Sequence, residues 1–247
     1  MQLKSLLLLF SSVASLTSAL PHAKRGDWRS IPSDGKFSTE GFGQRKMINT
    51  GTIDTYQGNV GDPWGSNIIE ISGSDAPKYK YVAQIKGQNT EPWTVVFWNK
   101  FGPDGRQDGH YGRSALRFTL NPGETKYVAF DENTQGGFGA IGGNGELPKG
   151  NMGAYACTWG EFDLGNKENN GWSGFDVSAI QAQLSKKDVQ GMQICDVLNG
   201  GGACSSISSG GMLVNNAYTA GEINIGGIGG NLPAGPVRLA VVIDYKG

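Results

Sequence analysis

Three carboxylic acids lie close together in two short segments that alternate between polar and apolar residues. Glu161 and Asp163 flank Phe162 in the first segment, and Asp176 lies in the second, which spans residues 172–180. Because successive side chains of a β-strand point to opposite faces, Glu161 and Asp163 are expected on one face and Phe162 on the other. If the two segments pair as neighbouring strands, the three carboxyl groups share one surface.

Such a cluster has a defined acid–base chemistry. Ionised carboxyl groups that are brought together repel one another, so one of them keeps its proton to a higher pH. A protonated carboxyl beside an ionised one is the pair that glycoside hydrolysis needs. Glu161, Asp163 and Asp176 are therefore the candidate catalytic residues. The alternative is that these acids are solvated side chains on a strand face, or turn caps, without a chemical role.

Aromatic and acidic side chains elsewhere in the chain could contact a sugar. The tryptophans and tyrosines offer flat faces for stacking, although most tryptophans of β-sandwiches pack in the core. Two further acids, which follow a predicted strand, are candidates for sugar contacts or for the acid–base pair. The carbohydrate-binding candidates are Trp159, Trp172, Tyr111, Asp131 and Glu132.

The sequence lacks the residues that several other kinds of catalytic or binding site need. Only His110 remains after the expected processing, and no Gly-x-Ser-x-Gly segment is present, so a serine hydrolase site is not expected. No His/Cys spacing indicates a zinc site, and the glycine-rich segment 226–230 lacks the lysine of a phosphate-binding loop. The sequence therefore predicts neither a metal nor a cofactor.

Three cysteines are an odd number for an exported protein. Cys195 and Cys204 flank a glycine-rich octet, which favours a local disulfide worth roughly 2–3 kcal/mol. Cys157 is then left as a buried free thiol. The alternative role, a reactive nucleophile, would need a base nearby.

The amino terminus indicates export. Residues 1–19 read as a signal peptide, and residues 20–25 as a short pro-segment that ends in Lys24-Arg25. A loop-rich arm, 26–57, would then precede one domain, 58–247. Processing removes three basic residues and no acid, which changes the formal net charge from −1 to −4. Because the mature chain is acidic, a nucleic-acid partner is not expected. No second apolar run approaches the length of a membrane span. The predicted location is extracellular or in the cell wall.

The pattern of apolar residues and turns predicts an all-β fold, an antiparallel sandwich of about nine or ten strands with long Gly-rich loops. Segment 93–100 is rich in β-branched and aromatic residues and is expected as a strand covered on both faces. Segments 114–120 and 125–130 are expected to form a hairpin. Segment 131–145 is expected as a Gly-rich loop.

Longer segments resemble a known family over about three-quarters of the chain, from residue 58 to residue 246. The matching segments include PWGSNIIE, PWTVVFWNK, GETKYVAFDEN and CTWGEFD. This region resembles the fungal secreted allergen family typified by the fourth major allergen of Aspergillus fumigatus. The resemblance implies binding by human IgE. It also implies that the partner of Cys157 would be an arm cysteine, at a position where this chain has Ser38.

A second, shorter set of motifs resembles thaumatin-like proteins. EFDL at 161–164, followed by FDVS at 175–178, is similar to a Glu-Phe-x-Leu and Tyr-Asp-Val-Ser pattern, and LNPG at 120–123 is similar to a Leu-x-Pro-Gly turn. This resemblance implies a thaumatin-like sandwich with an acidic cleft that includes Glu161 and Asp176, and a β-1,3-glucan ligand.

Three functions are consistent with these observations. The first is a non-enzymatic protein that binds β-glucan at the cell wall or host interface. The second is a weak endo-β-1,3-glucanase, and the third is an interaction protein directed at a host target.

Overall fold

A computed structural model describes residues 27–47, 58–198 and 202–247. The expected signal peptide and pro-segment, and residues 48–57 of the arm, lie outside these ranges. The described strands, in chain order, are β1 (Ile68–Ile71), β2 (Tyr81–Gly87), β3 (Trp93–Asn99), β4 (Leu116–Leu120), β5 (Lys126–Phe130), β6 (Thr134–Gly142), β7 (Trp159–Asn166), β8 (Trp172–Ser178), β9 (Met192–Asp196), β10 (Cys204–Ile207), β11 (Val214–Asn215), β12 (Gly230–Leu232) and β13 (Val237–Ile243).

Helical structure is limited to short segments in the described ranges. One α-helix, α1 (Ile180–Leu184), follows β8, and the 3₁₀ turns are Ala76–Lys78, Lys167–Asn169, Ser209–Gly211 and Ala220–Glu222. None of these segments has the length and apolar composition that a membrane-crossing helix requires.

The strands form two sheets that pack face to face. One sheet has seven strands in the order β1-β5-β2-β13-β9-β10-β11, and the other has six in the order β12-β8-β7-β6-β3-β4. All strand pairs are antiparallel except β13 and β2, which run parallel with Val237 opposite Tyr81. The predicted all-β sandwich is confirmed, with more strands than expected and one parallel pair.

Aromatic residues fill the space between the sheets. The rings of Phe97 and Phe138 stack with centroids 4.8 Å apart, and those of Phe130 and Phe162 lie 4.7 Å apart. Burying each such side chain contributes about 1.5–3 kcal/mol. As predicted, β3 is covered on both faces, because all seven of its residues are buried.

Two local predictions are wrong. The segment expected as a Gly-rich loop contains β6, which lies between β3 and β7. Its glycines permit close packing: a Cβ at Gly136 would lie 2.0 Å from the carbonyl oxygen of Trp98. The expected hairpin does not form either, because β4 pairs with β3 and β5 pairs with β1 and β2, so the turn between β4 and β5 crosses from one sheet to the other.

The amino-terminal arm packs on the outer face of the seven-stranded sheet. Trp28 and Phe42 contact the apolar cluster on that face. Fully buried Arg238 donates hydrogen bonds to the carbonyl oxygens of Trp28 and Ser30, at 3.2 and 3.0 Å. These contacts fix the start of the described chain against β13.

Ser38, at the position of the implied cysteine, lies on the other side of the sandwich from Cys157. The backbone N–H of Ser38 donates to the carbonyl oxygen of Lys78 at 2.8 Å, next to the seven-stranded sheet. Cys157 instead packs in a cluster on the outer face of the six-stranded sheet. Because packed sheets are about 10 Å apart, the pairing that the family resemblance implied does not fit this fold.

Candidate functional site

The candidate site is a cleft on the outer face of the six-stranded sheet, over β6, β7 and β8. Strands β7 and β8 pair in the register that places Glu161 opposite Asp176 and Asp163 opposite Gly174. On the other side of β7, Glu161 lies opposite Gly137 of β6 and Asp163 opposite Gln135. Directly opposite residues share a sheet face, so Gly174 leaves space beside Asp163, whereas the indole of Trp98 covers Gly137, 3.0 Å from the position of a Cβ there.

The three candidate acids therefore line one cavity, which has a volume of about 420 Å³. A volume of this size is typical of small-molecule and sugar sites. Polar side chains from other elements also line it, namely Lys100, Gln107, His110, Gln135 and Asn231. Sequence reasoning missed Gln135 because β6 was read as a loop, and it missed Asn231 because the short strand β12 has too few residues to show a pattern.

One wall of the cleft is the loop before β12. Ile228 and Gly230 line the cavity, and Gly229 packs directly on β8, where a Cβ would lie 2.3 Å from the carbonyl oxygen of Phe175. The side chain of Asn216 accepts from the N–H of Gly229 at 3.0 Å and donates to its carbonyl oxygen at 2.8 Å. These contacts hold this wall in place.

The opposite end of the cleft is aromatic. The ring of His110 lies 5.2 Å from the indole of Trp159, which in turn lies 5.3 Å from that of Trp98. The indole N–H of Trp159 donates to the carbonyl oxygen of Tyr155 at 2.9 Å. Burial lowers the pKa of His110, against the charge of Asp108, so the imidazole is neutral at pH 7 and offers an uncharged face.

The carboxyl groups hold their protons more tightly than free side chains. Burial is the main cause of the raised pKa of Asp176, and the neighbouring charge of Glu161 raises that pKa further. Burial also raises the pKa of Glu161, while the hydrogen bond between the two side chains lowers it. The pair therefore shares a proton at a pH where an exposed carboxyl is ionised.

Asp163 differs from that pair because it has polar neighbours. Burial raises its pKa, against the hydrogen bond that Asn166 donates at 2.6 Å and the charge of Lys100. One oxygen of Asp163, Oδ1, and one of Asp176, also Oδ1, are buried without a hydrogen-bond partner among the described residues. Buried polar atoms are normally paired, so Asp163 and Asp176, which both line the cleft, each keep an unsatisfied hydrogen-bond acceptor beneath its surface.

The remaining sugar-binding candidates divide between the cleft and other surfaces. Trp159 lines the cleft but is only 8% exposed, so it presents little more than an edge. Trp172 is 43% exposed at the start of β8, and Tyr111 is 39% exposed beside a neighbouring pocket. Neither Trp172 nor Tyr111 lines the cleft.

Asp131 and Glu132 also lie outside the cleft. Arg45 of the arm makes a bidentate ion pair with Asp131, at 2.7 and 2.8 Å, and Asn59 donates to the same carboxylate at 2.9 Å. Lys80 pairs with Glu132 at 2.7 Å, and this contact lowers the pKa of Glu132. Arg45 also lies 3.6 Å from Glu132, so both acids attach the arm to the sandwich rather than contact the cavity.

The cysteines are structural in the described chain. Cys195 and Cys204 are directly opposite on β9 and β10 and form a disulfide. Cys157 is free and buried, and burial raises its pKa well above the usual range for a thiol. A thiol in that state is a poor nucleophile. In the same described ranges, no group of three or more His, Cys, Asp or Glu residues could hold a metal ion.

A family model and a curated relative point to one family. The family model for the Allergen Asp f 4-like domain matches residues 66–243. Allergen Asp f 4 of Aspergillus fumigatus is 56% identical over 220 residues, which cover 89% of this chain and 67% of that protein. Among solved structures, the protein elicitor MoHrip2 from Magnaporthe oryzae covers 67% of this chain and 99% of its own, with 9% identity and a TM-score of 0.39. On the family model and the identity to this relative, the chain belongs to the Asp f 4-like allergen family.

Proposed function

We propose that this allergen-like protein is secreted and binds a polysaccharide, with β-glucan as the expected ligand, in the cleft over β6, β7 and β8. The observation that carries the proposal is that Asp163 and Asp176 both line the cavity and that each has a buried carboxyl oxygen without a hydrogen-bond partner among the described residues. An unpaired buried polar group costs about 1–3 kcal/mol, so a ligand that supplies a hydroxyl to each oxygen gains this energy on binding.

The lining favours a neutral, hydroxyl-rich ligand. Glu161 and Asp176 share a proton, which limits the negative charge of the cleft. The side-chain amides of Gln135 and Asn231 can both donate and accept hydrogen bonds. The neutral face of His110 and the edge of Trp159 supply the apolar contact that the CH groups of a pyranose ring need. The motifs at 161–164 and 175–178, which resemble those of thaumatin-like proteins, support β-1,3-glucan as the chain.

Co-sedimentation with insoluble β-1,3-glucan tests this proposal. We expect the wild-type protein to sediment with the glucan, and we expect Asp163→Ala to bind about tenfold more weakly, because the change removes one hydrogen-bonding carboxyl. Asp188→Ala is the matched control, since Asp188 is exposed and lies outside the cleft. A wild-type protein that stays in the supernatant would refute the proposal.

Hydrolysis is the second candidate function, and the raised pKa values of Glu161 and Asp176 favour it, because a general acid must hold a proton near neutral pH. The direct hydrogen bond between these two side chains brings them closer than the roughly 5–5.5 Å of a retaining pair. Glu161 and Asp163, two residues apart on β7, are separated by about 6.6 Å along the strand, which is near the range of an inverting pair.

Reducing-sugar release in the same tubes separates binding from hydrolysis. Release by the wild type that is lost in Glu161→Gln, but kept in the exposed control Glu168→Gln, would make the protein a hydrolase. Binding without release supports the non-enzymatic function.

An interaction with a host protein is the third candidate. The observation that favours it is a set of exposed apolar side chains around β11 and the following loop, namely Met212, Leu213, Val214, Ile223 and Ile225. None of them lines the acidic cleft. Family membership also supports human IgE as a partner, which binding of patient serum IgE to the purified protein would test.

A further inference from the structure

A second pocket adjoins the cleft and has the opposite charge. It lies between the loop 149–154 and the end of α1 and has a volume of about 540 Å³. His110 lines both cavities, so the pocket and the cleft lie next to each other at this residue. We call it the basic pocket, because its charged lining residues are Lys149, Lys186 and Lys187.

The three lysines have no counter-charge in the described structure. No acid lines the basic pocket, and none of the three makes an ion pair with any residue in the described ranges. Lys36, Lys46 and Lys86 are unpaired among the described residues as well, but they do not line this pocket, whereas Lys149, Lys186 and Lys187 all line the same one. A concave site with unpaired positive charge, on a protein of net negative charge, selects an anion.

The other lining groups suit a sugar. The amides of Asn151 and Gln181 and the hydroxyl of Ser185 can bind ring hydroxyls. Tyr111 is exposed at the rim, close to His110 with ring centroids 4.4 Å apart, and presents a face for stacking. The basic pocket thus repeats the mix of aromatic and hydrogen-bonding groups of the cleft, with cations in place of acids.

The loop that carries Lys149 is held in position. The N–H of Gly150 donates to the carbonyl oxygen of Ala154 at 2.9 Å, and that of Gly153 donates to the carbonyl oxygen of Gly150 at 2.9 Å. Across the pocket, Lys187 donates its backbone N–H to the carbonyl oxygen of Ala182 at 2.8 Å, which closes the end of α1. Both sides of the pocket are therefore formed before a ligand binds, which lowers the entropic cost of binding.

We infer that the polysaccharide bound in the cleft continues past His110 into the basic pocket and carries there an anionic sugar residue, with a carboxylate or a phosphate group. This inference rests on the proposed function, because the same chain must occupy the cleft. It adds that the preferred ligand is a charged glucan or related glycan rather than a wholly neutral one.

Matched oligosaccharides of one linkage test the inference. The probes are a neutral β-1,3-glucan hexasaccharide, the same chain oxidised to a carboxylate at C6, and the same chain phosphorylated at C6. The variants are the triple change Lys149→Gln, Lys186→Gln and Lys187→Gln and a charge-matched control, Lys36→Gln, Lys46→Gln and Lys86→Gln, at exposed lysines outside both cavities. Dissociation constants are measured by calorimetry at low salt.

We expect the wild type and the control to bind one of the charged chains about tenfold more tightly than the neutral chain, since each partly exposed ion pair adds modestly. The pocket variant should lose this preference and keep the affinity for the neutral chain. The two charged probes identify the anion.

Equal affinity of the wild type for all three chains would overturn the inference while leaving the proposed function intact. Failure to bind any of them would overturn both. Loss of binding to phosphatidylserine vesicles in the pocket variant, without any effect on the charged chains, would assign the pocket to a membrane surface and also overturn the inference.

Discussion

The proton shared by Glu161 and Asp176 makes the stability of the fold depend on pH in an unusual direction. In the unfolded chain, an Asp side chain ionises near pH 3.9. In the folded protein, burial and the charge of Glu161 raise the pKa of Asp176. Above pH 4 the unfolded chain therefore releases a proton that the folded protein keeps, so stability falls as pH rises until the folded-state pKa is reached.

The slope of this loss is at most about 1.4 kcal/mol per pH unit for one proton. The window between pH 6.5 and pH 8 isolates the effect. His110 titrates in the unfolded chain near pH 6.5 and is neutral in the folded protein, where burial lowers its pKa, but this contribution is the same in the wild type and in a variant at Asp176 and cancels in their difference. The raised pKa of the Cys157 thiol affects stability only at higher pH.

Asp176→Asn is the perturbation that removes the proton. The amide has nearly the same shape and can donate a hydrogen bond to ionised Glu161, so the local contact is kept. We expect the variant to be more stable than the wild type at pH 8, by about 1–2 kcal/mol relative to their difference at pH 6.5. Asp188→Asn, at an exposed acid, is the control.

Urea unfolding followed by tryptophan fluorescence measures the free energy of unfolding at each pH. The refuting result is a difference between Asp176→Asn and the wild type that does not change from pH 6.5 to pH 8. In that case the carboxyl pair is ionised in the folded protein, and the account of its proton is wrong.

Three further predictions concern the buried polar groups and the cysteines. Arg238→Met should cost about 3–5 kcal/mol in urea unfolding, because it removes the hydrogen bonds that the guanidinium donates to five backbone carbonyl oxygens, whereas exposed Arg29→Met should change little. Cys157 should react with Ellman's reagent only after denaturation, since its thiol is buried and its pKa is raised; fast labelling of the native protein would contradict this. Replacing Cys195 and Cys204 by alanine opens a short loop of sequence separation 9 and should cost roughly 2–3 kcal/mol, so a variant as stable as the wild type would show that the disulfide adds nothing.

The sequence predicted the acidic face of β7 well, because alternation is a local signal. Phe162 packs in the core and Glu161 lies in the cleft, as period two requires. The pairing of β7 with β8 could also be inferred, since only a short polar loop separates the two segments.

Long-range features could not be predicted in the same way. Strand β6 could not be predicted because its glycines are typical of a loop. The sequence shows that Gly136 lacks a side chain, but it does not show that the carbonyl group of Trp98 occupies the space where a Cβ would be. The turn after β4 looks like a hairpin turn, and only the pairing of β5 with β2 shows that it connects two sheets. Asp131 was misplaced for the same reason, since its partner Arg45 is 86 residues away.

The parts of the candidate site that sequence reasoning missed come from segments without periodic patterns. His110 and Gln107 lie in a long loop, and Asn231 lies in a three-residue strand. The basic pocket combines a loop residue, Lys149, with residues at the end of α1 that are distant in sequence. Such sites depend on tertiary placement and carry no local signature.

The central claim, that a glucan binds over β6, β7 and β8, is tested most directly by an NMR titration. A soluble β-1,3-glucan hexasaccharide is added to ¹⁵N-labelled protein, and the indole and side-chain amide signals are followed. We predict shifts for Trp98, Trp159 and the amides of Gln135 and Asn231, with the indole of Trp172 unchanged. Shifts confined to Trp172 or to Trp28 of the arm, or no shifts at saturating sugar, would contradict the assignment of the cleft as the binding site.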